Sequence, residues 1–545
     1  MKKYLAITIG PIYKTMQMAR KTREFWAASI MFSLLAKELC LQLIKSGCKE
    51  DDFLVPSKNV FSRNILNVGL YLDRIICELP ANLKFEDIEK DIIIPALNEL
   101  KVIFNTVTLG NGRQLDFTVI ELKQYFNIYA VCKEVSDVIP LLKISPQLNL
   151  LELFDTTISD SADVDNKIKD FIENVNTEYD DENKVVQSTF LETYYDLKDF
   201  NNNIRIPSIV EISTAALRYK PTLDKKPYYK EILNKTIWKK KPLENELFAK
   251  LKESYGDELH NHHKYFCVIQ ADGDKLGTTL LKANAANITN ISTDLIQWGT
   301  NALKQLTDYG ALPIYIGGDD LFCFAPVNNN TEAGIGKKQN ILDFVNMLNE
   351  SYNNMPSLKG KSTLSIAVKL VYYKSPMYKA YSDSHALLKK AKAAPNANSC
   401  CVSFDKHSGQ PHEFIYSFDS EYDLYIKPIA NAMQFDSKEK SFLTSVMYKL
   451  RANEELICDI SNKRGRLWAF FQNNFDEAKE NKSDTDKYKY LFAIKNYIIF
   501  LFSKYKLQKE GLENKETASM YLATINLYSV LKTIRFIKGL DNDTE

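Results

Sequence analysis

Two short acidic strings are the part of this sequence best suited to chemistry. Residues 272–274 (DGD) follow an apolar run, and residues 317–320 (GGDD) lie between two further apolar runs. Two carboxylates about 4 Å apart repel by roughly 4 kcal/mol at an effective dielectric of about 20, which favours a raised pKa or a bound cation. Oxygen ligands that also meet substrate phosphates suit Mg²⁺. If the strings meet in the fold, they predict a cation site for phosphoryl transfer.

The elements around these strings predict that they do meet. The hydrophobic pattern predicts strands at 265–271, 313–316, 321–325, 363–372 and 401–404, and helices at 276–306, 339–353 and 377–394. This order contains β-α-β-β-α-β, the ferredoxin-like arrangement. Its first strand lies antiparallel beside its third, so Asp272 should converge with Asp319 and Asp320. GGDD alone is typical of a simple hairpin turn, but its coupling to DGD in this order favours phosphoryl transfer.

The same reasoning organises the rest of the chain. It predicts a strand at 3–9, a long helix at 15–44, a strand at 68–77 and helices at 88–104 and 114–142. An acidic, Asn-rich stretch at 155–203 predicts surface helices and loops. Beyond residue 420 the pattern is nearly all helical and predicts a C-terminal bundle.

Composition excludes several classes of protein. The 545 residues predict roughly three to four domains, and 45% apolar with 12% aromatic residues argue against disorder. Lys and Arg balance Asp and Glu to a net charge of +1, so bulk charge does not indicate a nucleic-acid partner. Nine cysteines without C-x-x-C spacing predict reduced thiols and no structural zinc. We find no signal peptide or membrane span and expect a cytoplasmic protein.

Both acidic strings resemble a known family. Residues 271–277 (ADGDKLG) and 315–321 (YIGGDDL) look like the catalytic palm of the large subunit of type III CRISPR effector complexes, which is related to diguanylate cyclases and polymerase palms. Residues 9–11 and 19–29 narrow the resemblance to the Cmr-type (III-B) branch, and residues 207–212, residues 365–368 and the pattern from Pro376 to Lys392 extend the agreement. The resemblance covers most of 1–410 and is weaker over 420–545.

The resemblance implies an α+β fold with two ferredoxin-like palm domains, an intervening helical domain and a C-terminal helical bundle. The expected boundaries are 1–110 for the N-terminal palm, 111–263 for the helical insertion, 264–415 for the catalytic palm and 416–545 for the bundle. Many relatives carry an HD nuclease domain. All six histidines lie beyond residue 259 and none is followed by Asp, so we expect no HD nuclease here.

Site residues also follow from the resemblance. Asp272 and Asp319 would hold the metal ions, and Asp320 would complete the site near the attacking 3′-hydroxyl. The expected nucleotide-binding residues are Gly273, Asp274, Lys275, Gly277, Gly317, Gly318 and Lys392. The backbone of Gly273–Gly277 would cradle the triphosphate, and Lys392 would bind phosphate. From spacing alone, Lys392 is equally one cation of a Lys-rich helix.

The implied activity is polymerisation of ATP into cyclic oligoadenylate, with two Mg²⁺ or Mn²⁺ ions and activation by target RNA. In some relatives AMP is coupled instead to S-adenosylmethionine, and the acceptor stays open here. The implied partners are guide CRISPR RNA, target RNA and other Cmr-type subunits, with no membrane and no role as a free-standing monomer. Two further alternatives are a non-catalytic scaffold and a free-standing diguanylate-cyclase-like enzyme.

Three weaker signals remain. Arg20, Lys21 and Arg23 could contact RNA or the acceptor nucleotide, or form a charged helix face. The histidines at 260–263 could bind metal, but a polar loop is the better interpretation because no ligand partner has suitable spacing. A basic, aromatic stretch at 219–252 is compatible with RNA contact or with a solvated amphipathic helix.

Overall fold

The computed structural model places most of the chain. It describes residues 2–61, 71–135, 140–153, 162–175, 178–179, 185–186, 206–217, 249, 251–253, 255–256, 259–329, 339–405, 411–435, 439–508 and 515–541. Most of the acidic stretch at 155–203 and of the basic, aromatic stretch at 219–252 lies outside the described residues. The start of the predicted strand at 68–77 also lies outside them.

Ten strands form two main sheets. They are β1 (Lys2–Gly10), β2 (Phe53–Val55), β3 (Arg74–Glu78), β4 (Asn127–Val135), β5 (Tyr265–Asp274), β6 (Leu312–Gly317), β7 (Asp320–Pro326), β8 (Thr363–Tyr372), β9 (Ser399–Phe404) and β10 (His412–Ser417). Two-residue strands pair Glu178–Tyr179 with Val185–Val186 and Asn328–Asn329 with Gln339–Asn340.

Helices cover both sheets. The first eleven are α1 (Ile12–Met18), α2 (Thr22–Lys45), α3 (Ile94–Phe104), α4 (Val119–Tyr125), α5 (Pro140–Leu153), α6 (Ala162–Asn174), α7 (Ile209–Ser213), α8 (Leu276–Leu280), α9 (Ala285–Tyr309), α10 (Ile341–Asn353) and α11 (Met377–Ala393). The C-terminal helices are α12 (Lys427–Ala432), α13 (Lys440–Ala452), α14 (Glu454–Ile460), α15 (Arg464–Asn474), α16 (Asp486–Gln508) and α17 (Lys515–Ile537).

The first sheet has the strand order β2-β3-β1-β4, and all its pairs are antiparallel. This is the order of a ferredoxin-like domain. The helix predicted over 114–142 is wrong over Asn127–Val135, because β4 pairs with β1 along its whole length, from Lys2 opposite Val135 to Gly10 opposite Asn127. We therefore propose that the N-terminal domain extends past residue 110 to Val135.

Two predicted helices are each broken in two. The helix predicted over 15–44 ends at Met18 and resumes at Thr22, because the Glu24 side chain accepts hydrogen bonds from the amides of Arg20 and Lys21 and so caps α2. The helix predicted over 276–306 stops at Leu280. A new helix starts at Ala285, where the Asn284 side chain caps it.

The second sheet has the order β10-β9-β8-β5-β7-β6. Its strands β8-β5-β7-β6 repeat the ferredoxin-like order, with β5 antiparallel to both β8 and β7. The predicted β-α-β-β-α-β order is confirmed, and the predicted strand at 363–372 coincides with β8. The predicted α+β fold class with two ferredoxin-like sheets is therefore confirmed, although the helix predicted over 114–142 is not.

The two faces of β5 are covered by different parts of the chain. Cys267 and Ile269 belong to the core shared with α9, α10 and the C-terminal helices. Phe266 and Val268, which alternate with them, belong to the core of the N-terminal domain. From α2, Phe25 contacts the ring of Phe324 on β7 at 5.4 Å. The N-terminal domain thus packs directly on the second sheet.

The C-terminal helices pack at the opposite side of this sheet. Phe536 of α17 stacks on Phe404 of β9 at 4.2 Å and contacts Tyr265 of β5 at 4.8 Å. By length and composition α2 is the one helix of the described residues that could cross a bilayer, but 78% of its most apolar window is buried inside the protein. In this fold α2 serves as a core helix.

Candidate active site

The structure brings the three predicted carboxylates to one end of the second sheet. The ladder between β5 and β7 includes Ala271 opposite Leu321. Asp272 directly follows Ala271 and Asp320 directly precedes Leu321, so both carboxylates lie at the end of this ladder. Gly317 pairs with Asp320 across the β6–β7 hairpin, so Gly318 and Asp319 form its two-residue turn.

The carboxyl of Asp319 is strongly perturbed by its surroundings. Burial and then the charge on Asp272 raise its pKa to about 7. Desolvation and then the charge on Asp319 raise the pKa of Asp320. Asp320 as a whole residue is exposed, so the charge on the adjacent Asp319 acts on it directly. Close like charges with raised pKa values are expected where a cation is to be bound.

Lys392 is directed into this acidic cluster. Its Nζ lies 2.5 Å from Asp272 Oδ2 and donates to the Gly273 carbonyl at 3.1 Å. Burial nevertheless raises the pKa of Asp272, against the effect of the lysine. The neighbouring Lys390 points elsewhere and binds Glu413 at 2.6 Å. These two of the lysines of α11 therefore differ in position, and Lys392 is the one that contacts the cluster.

Asp274 plays a different part from the other acids. Its carboxylate accepts hydrogen bonds from the hydroxyls of Thr363 and Ser365 at 2.8 Å and from the Asn398 amide at 3.0 Å. The residue is only 4% exposed. Its side chain thus holds the end of β5 to β8, and only its backbone remains for a nucleotide. A direct side-chain contact between Asp274 and a nucleotide does not fit this geometry.

Gly273 and Gly318 lie at positions of the site where a Cβ would be strained. A Cβ on Gly273 would stand 2.5 Å from Asp319 Oδ2 and 2.5 Å from the Tyr352 hydroxyl, so these groups would have to move for any other residue. Gly318 has a φ of +64° at the hairpin turn, which disfavours any residue with a Cβ. Gly317 lies under the Tyr315 ring.

A cavity of about 550 Å³ adjoins the end of β5. It is lined by Lys275, Thr278, Thr279, Lys282, Ala283, Asn287, Asn290, Ile291, Ser357 and Lys361. Three lysines and no carboxylate stand in this lining, so its charge suits an anion. Lys275 has a left-handed backbone with φ of 61°, which is uncommon for a non-glycine residue. Gly277, in α8, is exposed.

Arg20 and Lys21, two of the three N-terminal cations, contact groups outside the acidic cluster. The Arg20 guanidinium stacks 4.4 Å from the Tyr378 ring of α11 and donates to the carbonyls before it. Lys21 is exposed near Glu24, and Arg23 is half-buried. Arg20 thereby joins the N-terminal domain to α11. The role of these cations in RNA or acceptor binding stays a prediction.

The histidines at 260–263 do not form a polar loop. His262 and His263 are buried in a short helical turn, and burial lowers the pKa of both, that of His263 to about 3. Within the described residues, no set of three or more His, Cys, Asp and Glu side chains is arranged as a finished metal site. The oxygen-only donors at Asp272, Asp319 and Asp320 nevertheless fit a hard cation such as Mg²⁺ or Mn²⁺.

Sequence reasoning missed two residues at the site. Asp73 comes from the N-terminal domain, and its charge contributes to the raised pKa of Asp319 and Asp320. The preceding residue, Leu72, lies 3.6 Å from the point where a Cβ would stand on Gly318. Tyr352 comes from α10 and lies under Gly273. Neither belongs to a motif, so no sequence signal could have indicated them.

Two packed ferredoxin-like sheets, one of them carrying an acidic hairpin beside an acidic strand end, define a tandem palm protein. Residues 265–401 match the family model of the Cas10/Cmr2 second palm domain, and residues 4–104 match that of the CRISPR-associated protein Cmr2 N-terminal domain. Both domain matches support a large subunit of the Cas10/Cmr2 type.

A curated relative agrees with this assignment. The Cmr subunit Cmr2 of Pyrococcus furiosus (strain ATCC 43587 / DSM 3638 / JCM 8422 / Vc1) is 24% identical over 234 residues, which are 36% of this chain and 26% of that protein. The chain thus matches about a quarter of the length of this relative.

Solved structures share the fold. The type III-B Cmr-beta complex in its apo state has a similar chain at a TM-score of 0.55 and 12% identity, covering 87% of this chain and 77% of that one. Cmr-beta bound to cognate target RNA has a TM-score of 0.54 at 11% identity, with 89% and 80% covered. The Csm1–Csm4 cassette with pppApApA has a TM-score of 0.50 at 12% identity, and the match covers 98% of this chain and 70% of that one.

Proposed function

We propose that this chain is a metal-dependent nucleotidyltransferase that uses ATP. One observation carries the proposal: three carboxylates lie together at the β6–β7 hairpin, and the side chain of one lysine points at them. Lys392 Nζ lies 2.5 Å from Asp272 Oδ2, and Asp319 and Asp320 lie at the adjoining turn. A purely structural hairpin would not need three carboxylates with raised pKa values in one place.

Each group has a chemical task in this proposal. Asp272, Asp319 and Asp320 would hold divalent cations, which lower the pKa of an attacking hydroxyl and neutralise phosphate charge. Lys392 would bind a phosphate oxygen of the donor nucleotide as a point charge. The backbone of Gly273–Gly277 would lie along the triphosphate. The acceptor 3′-oxygen would form a bond to the α-phosphorus while pyrophosphate leaves.

The adjoining cavity supports a nucleotide ligand. Its volume of about 550 Å³ falls within the usual range of small-molecule sites. Lys275, Lys282 and Lys361 supply positive charge at the site, and Asn287 and Asn290 supply amides able to donate and accept hydrogen bonds. We propose that one ATP occupies this cavity with its phosphates directed towards Asp272.

For the product, we propose cyclic oligoadenylate, with AMP transfer to S-adenosylmethionine as the alternative. The similar Csm1–Csm4 cassette was solved with pppApApA, which supports adenylate chemistry on this fold. We also propose a cytoplasmic ribonucleoprotein complex with guide RNA, target RNA and other Cmr-type subunits. The structure of Cmr-beta with cognate target RNA supports target RNA and a multi-subunit complex among these partners.

The test uses the assembled complex with matching target RNA. Labelled ATP and Mg²⁺ or Mn²⁺ are supplied with and without S-adenosylmethionine, and the products are identified by mass spectrometry. We expect RNA-dependent adenylate products that vanish in an Asp319→Ala/Asp320→Ala variant. Asp51→Ala, at an exposed residue of the N-terminal domain, is the matched control. If the unmodified complex makes no product, the scaffold role replaces the enzyme.

A further inference from the structure

A buried tyrosine lies directly beneath the acidic turn. Tyr352 of α10 has no exposed surface, and its ring packs edge-on against Trp298 at 5.2 Å. Its hydroxyl and Asp319 Oδ2 both lie 2.5 Å from the point where a Cβ would stand on Gly273. The hydroxyl and the carboxylate oxygen therefore both border the space that a side chain at Gly273 would need.

The direction of the hydrogen bonds around this hydroxyl can be worked out. The Ser362 hydroxyl donates to the Asp274 carbonyl at 2.8 Å, and a serine has only one proton to donate. At its 3.1 Å contact with Ser362 Oγ, the Tyr352 hydroxyl is therefore the donor. The relay runs from Tyr352 through Ser362 to the backbone of Asp274.

We propose that Tyr352 is a positioning residue of the cation site, a role that rests on the proposed function. Through Ser362 it fixes the backbone of the DGD turn, and beside Gly273 its hydroxyl occupies space next to the Asp319 carboxylate. Both effects hold Asp319 and Asp272 at the spacing that a shared cation requires. Groups that orient metal ligands in this way typically change metal affinity or activity by about 10- to 100-fold when removed.

The alternative is that the hydroxyl serves only the packing of α10. Phenylalanine in place of Tyr352 keeps the ring and its contact with Trp298, so a packing role predicts little change at the cation site. A positioning role instead predicts weaker cation binding, because the DGD turn and Asp319 both lose a neighbouring group. Burial and the charge on Asp319 raise the pKa of Tyr352, so its hydroxyl keeps its proton and can donate throughout the neutral range.

Mn²⁺ binding to the full chain, followed by electron paramagnetic resonance, tests the proposal without requiring turnover. We expect Tyr352→Phe and Ser362→Ala each to weaken Mn²⁺ binding about tenfold, while Ser362→Thr, which keeps the hydroxyl, binds like the unmodified chain. The matched control is Tyr309→Phe. Tyr309 is also buried, but its hydroxyl donates to Val327 at 3.3 Å, near the opposite end of β7.

The outcomes separate this proposal from the proposed function. If Tyr352→Phe and Ser362→Ala fold and bind Mn²⁺ as tightly as the unmodified chain, the positioning role is overturned and the cation site stands. If Tyr309→Phe weakens binding equally, the effect is one of general stability and the positioning role is likewise overturned. If an Asp319→Asn/Asp320→Asn variant binds Mn²⁺ like the unmodified chain, the cation site itself fails and Tyr352 has nothing to position.

Discussion

Lys392 Nζ and Asp272 Oδ2 lie 2.5 Å apart, and the same ammonium group also bonds the Gly273 carbonyl. This contact joins the end of β5 to α11, which the sequence separates widely. Lys390, two residues earlier on the same helix, bonds Glu413 instead. One helix therefore carries one lysine for the acidic cluster and another for the surface.

Removing the Lys392 charge should impair nucleotidyl transfer selectively. We expect Lys392→Met to lower the rate of RNA-activated ATP turnover by about 100-fold, because a preorganised cation near developing phosphate charge is lost. Lys390→Met, which breaks only the partly exposed pair with Glu413, should change the rate little. Turnover of labelled ATP in the assembled complex measures both. Equal losses in the two variants would contradict the assignment.

Divalent-cation binding should depend on pH near neutrality. Burial and the Asp272 charge raise the pKa of Asp319 to about 7, so a falling pH protonates this ligand before carboxylates of ordinary acidity. We expect the Mn²⁺ affinity of the full chain to weaken as the pH falls through about 7 and to level off above it. Titrations between about pH 6 and pH 8 measure this.

A substitution at Asp73 tests whether neighbouring negative charge raises the pKa of Asp319. Its negative charge helps to raise the pKa of Asp319, so Asp73→Asn should shift the pH midpoint of Mn²⁺ binding downwards. Asp51→Asn neutralises an exposed acid of the same domain and should leave the midpoint in place. An upward shift in Asp73→Asn would show that Asp73 is itself a ligand whose loss weakens the site.

Acid should destabilise the junction between β5 and the C-terminal helices. The folded-state pKa values of His262 and His263 lie below the ordinary value of 6.5, because burial disfavours their charged forms. As the pH falls below 6.5 the unfolded chain therefore takes up protons first, and stability present above 6.5 is lost. Each histidine should contribute about 1.4 kcal/mol per pH unit in this window.

Urea denaturation at a series of pH values measures this loss. The His262→Gln/His263→Gln variant should start less stable but should show a shallower decline in acid, because fewer buried groups take up protons on unfolding. His385→Gln is the comparison: burial also lowers the pKa of this half-buried histidine on α11, so its loss should flatten the decline less than the double substitution does. An unchanged pH slope in the double variant would assign the acid sensitivity to other groups.

A single methyl group at Gly273 should abolish activity. A Cβ there would stand 2.5 Å from both Asp319 Oδ2 and the Tyr352 hydroxyl, so the acidic turn must move apart. We expect Gly273→Ala to cost about 1–3 kcal/mol of stability and to remove detectable ATP turnover. Gly465→Ala, where nothing lies within 4 Å of the added group, should be neutral in melting and turnover assays.

The sequence predicted the second sheet well because its signals are local. The apolar run that defines β8 coincides with the strand in the structure, and Gly-rich acidic turns end β5 and begin β7. The missed features depend on distant partners. β4 was predicted as helix, yet it becomes a strand because β1 offers it a complete ladder. The break before α2 depends on the Glu24 carboxylate accepting hydrogen bonds from the amides of Arg20 and Lys21.

The sequence by itself determined the chemistry available: three acids, their glycines and a lysine at spacings that a ferredoxin-like fold brings together. Only the tertiary structure decided which groups surround them. In the folded chain the Asp274 side chain is buried against Ser365, and Lys392 is the lysine that contacts Asp272. Packing also places Asp73 and Tyr352 near the acidic turn. The physical reason is that patterning specifies which face of an element is buried, whereas side-chain neighbours depend on how whole domains pack.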